Sequence, residues 1–333
     1  VLLEPAIEAG RLELGRKQLL AELERSEEDA ARTAETRMEG LLFGNDRPRP
    51  TPASLDQIER ADLVAFHGRI LHPANLVVSA SGGFDRRWLQ GVLERRLGSF
   101  RPGPTAVKSP TLPAPRFQRQ PCISLVHRSV SQSVVRLALS GPRRSDPDWE
   151  AATVMNEILG GRLSAKLRVE HGLTYGIRSS LEEGDLLGRG DWLCTFRTKN
   201  QSVATALRLV LAEIEKLKNA PVAETELGAV KDGIIQAFPA FWSNRQNRVE
   251  TFGNDLLRGW GEDRALAHRA RITAISAANV QSSARAYLDP SKLVVLIVGN
   301  IGEVEAGDPK EAPGSLKDML PLPIHRQPDP VAR

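Results

Sequence analysis

The chain has 333 residues, 41% hydrophobic and 26% charged, a globular composition long enough for about two domains of ordinary size. Its 45 basic and 41 acidic residues are spread through the whole sequence, so the net charge of +4 describes no basic patch and does not imply a nucleic-acid partner. Cys122 and Cys194 are too few for a disulfide framework and lack zinc-ribbon spacing, with a single bridge between them left open, and no apolar run approaches the roughly 18 residues of a membrane span.

In chain order, the sequence starts at Val1, inside a polar helical pattern with no signal-peptide layout, and upstream residues are expected to have been removed. A helix entered at Ser54 runs to Pro73, which cannot continue it, and the apolar LVVSAS (76–81) reads as a strand stopped by Gly82. Residues 101–120 hold five prolines and no apolar periodicity, and read as an extended linker. Ile123–Val126 and Val134–Leu139 read as strands. Trp149–Leu159 reads as a helix ending at Gly160-Gly161, and Leu163–His171 as a second helix stopped by Gly172. Leu173–Leu181 and Asp191–Thr198 alternate as half-buried strands. An apolar helical stripe from Val203 to Leu217 precedes Pro221, a second long helix follows from Glu224, and Leu293–Val298 reads as one buried strand. The Pro-rich tail from Gly302 is expected to form neither helix nor strand.

The chain also repeats itself. Ile58, Leu63, Pro73, Leu76 and Gly82 match Ile275, Val280, Pro290, Leu293 and Gly299 at a constant offset of 217, each copy reading helix, Pro, apolar strand, Gly. Glu13-Leu14-Gly15 echoes Glu226-Leu227-Gly228 at an offset of 213. Two copies of one α+β domain are therefore expected, each with a mostly antiparallel sheet packed against helices, and the first truncated by about 96 positions. The expected boundaries are 1–100 for the remnant, 101–120 for the linker, 121–301 for the complete copy and 302–333 for the tail. A half-sheet left in the remnant would carry an open strand edge, which makes it the less stable region.

None of the six histidines forms HExxH or HxxEH, and there is no GxSxG, Walker loop or GxGxxG. His67 and His72 read as surface or domain-edge residues. The remaining chemical candidate is Arg168 with Tyr175, seven apart across a helix end and a strand start. A guanidinium and a phenol so placed could hydrogen-bond a carbonyl oxygen that turns anionic during acyl transfer. The plain alternative is a solvated arginine and a half-buried tyrosine.

NEILGGRLSAKLRVEHGLTYGIRSS (156–180) resembles the second-half signature of the pitrilysin/insulinase zinc peptidases, and residues 50–85 are similar to the end of that family's first half. The resemblance implies homologous α+β domains closing like a clamshell on an extended peptide, which adds as a strand to a sheet edge. It implies zinc held by an HxxEH helix and a later glutamate, here Glu22 in LLAEL, with a zinc-bound water attacking the carbonyl while Arg168 and Tyr175 steady the oxyanion. Gly15, Gly83 and the short Gly160-Gly161-Arg162 depart from the family pattern. The implied role is a subunit or truncated chain of a metalloendopeptidase that binds no zinc by itself as given, the HxxEH segment lying either in the roughly 96 positions expected upstream or on a partner chain with which it works as a heterodimer. The alternative is an inactive family member acting as a binding or assembly scaffold. Bacterial relatives suggest the periplasm or cell envelope.

Overall fold

The computed structural model describes residues 2–43, 50–104, 120–182, 190–259, 263–308, 310, 316 and 320–327. They form two compact units that do not follow chain order: one combines 1–23, 49–112 and 235–269, the other 24–48, 113–234 and 270–333. The helices are α1 (Ala9–Glu28), α2 (Ala30–Phe43), α3 (Pro52–Asp56), α4 (Arg60–Ile70), α5 (Arg86–Leu97), α6 (Trp149–Leu163), α7 (Val203–Asn219), α8 (Glu224–Ser243), α9 (Arg245–Leu257), α10 (Asp263–Ala274), α11 (Ala277–Tyr287) and α12 (Ile301–Ala306). Among the described residues no helix is long and apolar enough to cross a membrane.

The second unit is built on one sheet of β1 (Cys122–His127), β2 (Gln132–Ser140), β3 (Ile177–Glu182), β4 (Asp191–Lys199), β5 (Val294–Gly299) and β6 (Ile324–Gln327), in the order β3-β4-β2-β5-β1-β6. The ladders β3–β4, β4–β2 and β2–β5 are antiparallel, while β5–β1 and β1–β6 are parallel. The mixed α/β class follows from this sheet and its helices. Both faces of β5 are covered, which is why VVLIVG shows no alternation and every residue in it is buried. One face, which carries Leu137, Cys194 and Ile297, is covered by α6 and α7, with α11 packed on those two helices. The alternate residues Val134, Ala138, Leu296 and Val298 pack with Cys122 and Val126 against Ala34, Met38, Leu42 and Phe43 of α2. Helices thus cover both faces of the sheet, and the second covering helix, α2, comes from residues that the chain-order reading gave to the first copy. Cys122 and Cys194 are buried free thiols on strands that are not neighbours, so no bridge joins them.

The tail also differs from expectation. α12 buries Ile301 and Val304, Leu316 and Leu320 are buried, and β6 adds in parallel to β1, with Ile123 N donating to Pro323 O at 2.9 Å. Prolines flank β6 but do not occupy it, and an edge strand tolerates that arrangement because only one side needs its amides. Most of the expected linker, 105–119, lies outside the described residues.

In the first unit Arg16 donates to the carbonyls of Leu55 and Ile58, the latter at 2.8 Å, and Arg60 Nε donates to Ile7 O at 2.7 Å. His67 Nε2 lies 2.9 Å from Leu2 O, and His72 Nδ1 accepts from Ala74 N at 3.0 Å, so both histidines contact backbone groups. The repeat survives locally: a 3-10 turn at Pro73–Asn75 follows α4 as one at Pro290–Lys292 follows α11. The expected strand at Leu76–Ser81 is absent, although its counterpart is the central β5. An isolated strand has no ladder to satisfy its amides, and the described residues of this unit offer no second strand.

Leu55 is this unit's one buried hydrophobic residue among those described, while Val64, Phe66, Val78 and Trp88 are exposed. With so little apolar burial to offset chain entropy, the unit sits at the low end of local stability. Hydrogen exchange is expected to show amides of α4 and α5 exchanging at least about 100-fold faster than those of β2 and β5. Equal protection in both units would refute this.

Candidate functional site

The site begins with a helix that does not stop where its glycines suggest. Two glycines cost a helix about 2 kcal/mol relative to alanines. Ile158, Leu159, Leu163 and Leu167, all 0–1% exposed, outweigh that cost by holding one face of the segment in the core. α6 therefore runs through Gly160-Gly161 to Leu163 and passes into a π-helical stretch, Ser164–Glu170, in place of the separate helix expected over Leu163–His171. The wider winding is closed by His171 N donating to Lys166 O at 3.2 Å, and Leu173 N donates to Leu167 O at 2.8 Å. π turns inside helices occur often at functional sites, since they turn one side chain out of the helical register. Here that stretch carries Arg168.

Gly172 has φ +61, a left-handed turn that a β-branched residue would strain. After it the chain is pinned by Thr198 Oγ1 donating to Leu173 O at 2.7 Å and by Thr174 Oγ1 donating to Gly176 O at 2.8 Å. β3 consequently starts at Ile177, four residues later than expected, and Tyr175 stands on the turn instead of in an alternating strand. Tyr175 is 97% exposed, which removes the half-buried alternative and leaves a phenol whose energy is not invested in packing.

Arg168 and Tyr175 line one cleft of about 1070 Å³ in the second unit, together with His171, Thr195, Arg197 and Lys199 among others. Among the described residues β3, beside it, is an edge strand, paired only with β4. It is anchored from behind: Trp192 Nε1 donates to Ser179 Oγ at 2.9 Å, and Ser179 Oγ donates to Asn156 Oδ1 of α6 at 2.6 Å. The π stretch has its own anchor, Arg162, which donates from Nε and Nη2 to the two oxygens of Glu226 on α8 at 2.8 and 2.7 Å. That hydrogen bond, followed by the Arg162 charge, holds the Glu226 carboxyl below its usual range. The cations Arg136, Arg197 and Lys199 were not singled out from the sequence. The available signal was the period of two, with Gln132, Val134 and Arg136 on β2 facing the same way as Thr195, Arg197 and Lys199 on β4.

Glu22 lies on α1, in the first unit. Among the described residues no group of three or more His, Cys, Asp or Glu is placed to hold a metal ion, so the residues present do not by themselves fit a zinc ion. No chemical step is therefore assigned to a metal held by this chain.

The family model described as peptidase M16 inactive domain matches residues 57–234. A Mycobacterium bovis protein named as an uncharacterized zinc protease is 26% identical over 302 residues, 86% of this chain and 67% of that one. The crystal structure of a peptidase M16 inactive domain from Pseudomonas fluorescens superposes with a TM-score of 0.78 at 23% identity, covering 93% of this chain and 74% of that one. A chain of complex III2 from Candida albicans gives a TM-score of 0.74 at 17% identity, with 87% and 71% covered; at these identities both structures show the shared fold alone.

Proposed function

Because the chain belongs to the peptidase M16 inactive domain family, we propose that it is the peptide-holding half of a zinc-dependent endopeptidase acting on unfolded peptides. The observation that carries this reading is the joint exposure of Arg168 and Tyr175 on one cleft beside the edge strand β3. An extended peptide adds to β3 through main-chain hydrogen bonds, the usual way an open sheet edge binds a chain. The Arg168 guanidinium and the Tyr175 hydroxyl then donate to the carbonyl oxygen at the cleavage point. Such donors matter most as that oxygen becomes negative, so they favour the transition state over the bound ground state.

Zinc, which activates water for attack on a carbonyl when bound, is supplied by an HxxEH segment outside these 333 residues, either elsewhere in the complete enzyme or on a partner chain. Glu22 joins that site only if the HxxEH ligands reach it. The purified chain is expected to cleave no unfolded peptide, with or without added zinc, and chelator-sensitive cleavage is expected to appear on mixing it with an HxxEH-bearing relative. Chelator-sensitive hydrolysis by this chain alone would overturn the division of labour. Peptide binding without hydrolysis in every mixture would point to a binding or assembly role instead.

A further inference from the structure

The charges of this chain are nearly balanced, yet the cleft is not. Its described lining includes Arg136, Arg168, Arg197 and Lys199, with His171 beside them, against Asp308 as the one carboxylate among the described residues. The sheet register sets the spacing of the cations. Arg136 lies opposite Thr195, whose other neighbour is Arg178 on β3, and Val134 lies opposite Arg197, with Lys199 two residues further along β4. Arg178, Arg197, Arg136 and Lys199 therefore project from one face of three adjacent strands. Neighbouring like charges on a sheet face repel and lower stability unless a counter-charge lies among them.

That counter-charge is scarce. Among the described residues none of these four is in an ion pair, and the buried Nε of Arg136 has no hydrogen-bond partner. Asp29 feels the charge of Arg197, but its carboxyl already accepts the amides of Ala31 and Arg32 at 2.7 and 3.0 Å, and the Arg32 amide does most to lower its pKa. A cleft in which a buried guanidinium nitrogen and exposed cations outnumber their acids attracts a ligand that brings negative charge.

We infer that the cleft selects acidic peptides, extended segments bearing Asp or Glu at alternate positions. Successive same-face side chains of an extended peptide repeat at the spacing that separates Arg197 from Lys199 on β4, so alternate carboxylates meet successive cations. The guanidinium groups of Arg136 and Arg197 suit a planar carboxylate held through two oxygens. This inference rests on the peptide-binding reading above and adds the substrate class. It also corrects the expectation that the balanced composition leaves no basic patch: the fold gathers cations that the chain spaces apart.

The test is fluorescence anisotropy with the full chain and three end-blocked, labelled peptides of one backbone, carrying Glu, Gln or Lys at alternate positions, at low and high salt. The Glu peptide is expected to bind about tenfold more tightly than the Gln peptide, and the Lys peptide more weakly than either. The preference should shrink as salt screens the cations. In the double variant Arg197→Gln, Lys199→Gln, both exposed positions, the Glu-over-Gln ratio should fall to within about twofold. Equal binding of the Glu and Gln peptides would sink the charge selection and leave peptide binding intact. Failure of all three peptides to bind would sink both readings. Tighter binding of a single-stranded DNA oligonucleotide than of the Glu peptide would assign the cleft to nucleic acid and overturn the inference.

Discussion

Arg168→Ala is expected to lower kcat/KM of the zinc-supplied pair by about 100- to 1000-fold, the loss of roughly 2.7–4 kcal/mol of transition-state stabilisation that follows removal of one oxyanion donor. Tyr175→Phe, which removes a hydroxyl and nothing else, should cost about tenfold or more through the same route. Neither change should unfold the protein. Arg168 is exposed, and Tyr175, 97% exposed, has almost no packing to lose, so the unfolding free energy should change by no more than the roughly 0.5 kcal/mol typical of surface substitutions. This combination separates chemistry from stability. Arg168→Lys should rescue little, because an ammonium is a point donor and lacks the planar fork. The measurement is steady-state kcat and KM on an unfolded peptide, with thermal melts alongside. A fall in kcat at near-constant KM marks a transition-state role, while a rise in KM alone marks plain substrate holding. Wild-type kinetics in both variants would end the oxyanion assignment.

Local chemistry that does not depend on distant partners was legible in the sequence. The β5 run VVLIVG, the stripe of α7, the Ser276 cap of α11 and the turn glycine Gly172 all occur where expected, because each is decided within a few residues. The pairing of Arg168 with Tyr175 on one surface was legible too, since the elements between them are short. What failed depended on partners. LVVSAS and LVVLIV carry nearly the same grammar, but only the second has neighbouring strands, so only the second is a strand. Gly160-Gly161 look like a stop until the burial of Leu163 and Leu167 is known. The cationic face is invisible in the chain because Arg136, Arg178 and Arg197 become neighbours only through the β2–β4 and β4–β3 registers.

The same dependence on tertiary partners makes Trp192 the position where stability and function should fall together. Its side chain is fully buried, and its indole is the donor that holds Ser179 on the edge strand. Trp192→Ala should cost about 3–5 kcal/mol by cavity formation and lost burial, a large share of the 5–15 kcal/mol by which domains are stable. A variant that damaging says little about the edge strand by itself. Trp192→Phe is the discriminating change: it keeps most of the buried ring area but removes the N–H, so Ser179 Oγ keeps its hydrogen bond to Asn156 and loses the one from the indole. The expected loss is about 1–2 kcal/mol, the net worth of a buried hydrogen bond plus imperfect packing. Because β3 is the strand to which a peptide would add, its loosening should also weaken peptide binding by several-fold, although Trp192 never touches the ligand. Thermal melts and peptide anisotropy on the same preparations check both parts. A Trp192→Phe protein with a lowered melting temperature but unchanged peptide affinity would show that the edge strand does not need this anchor, and would move peptide binding away from β3.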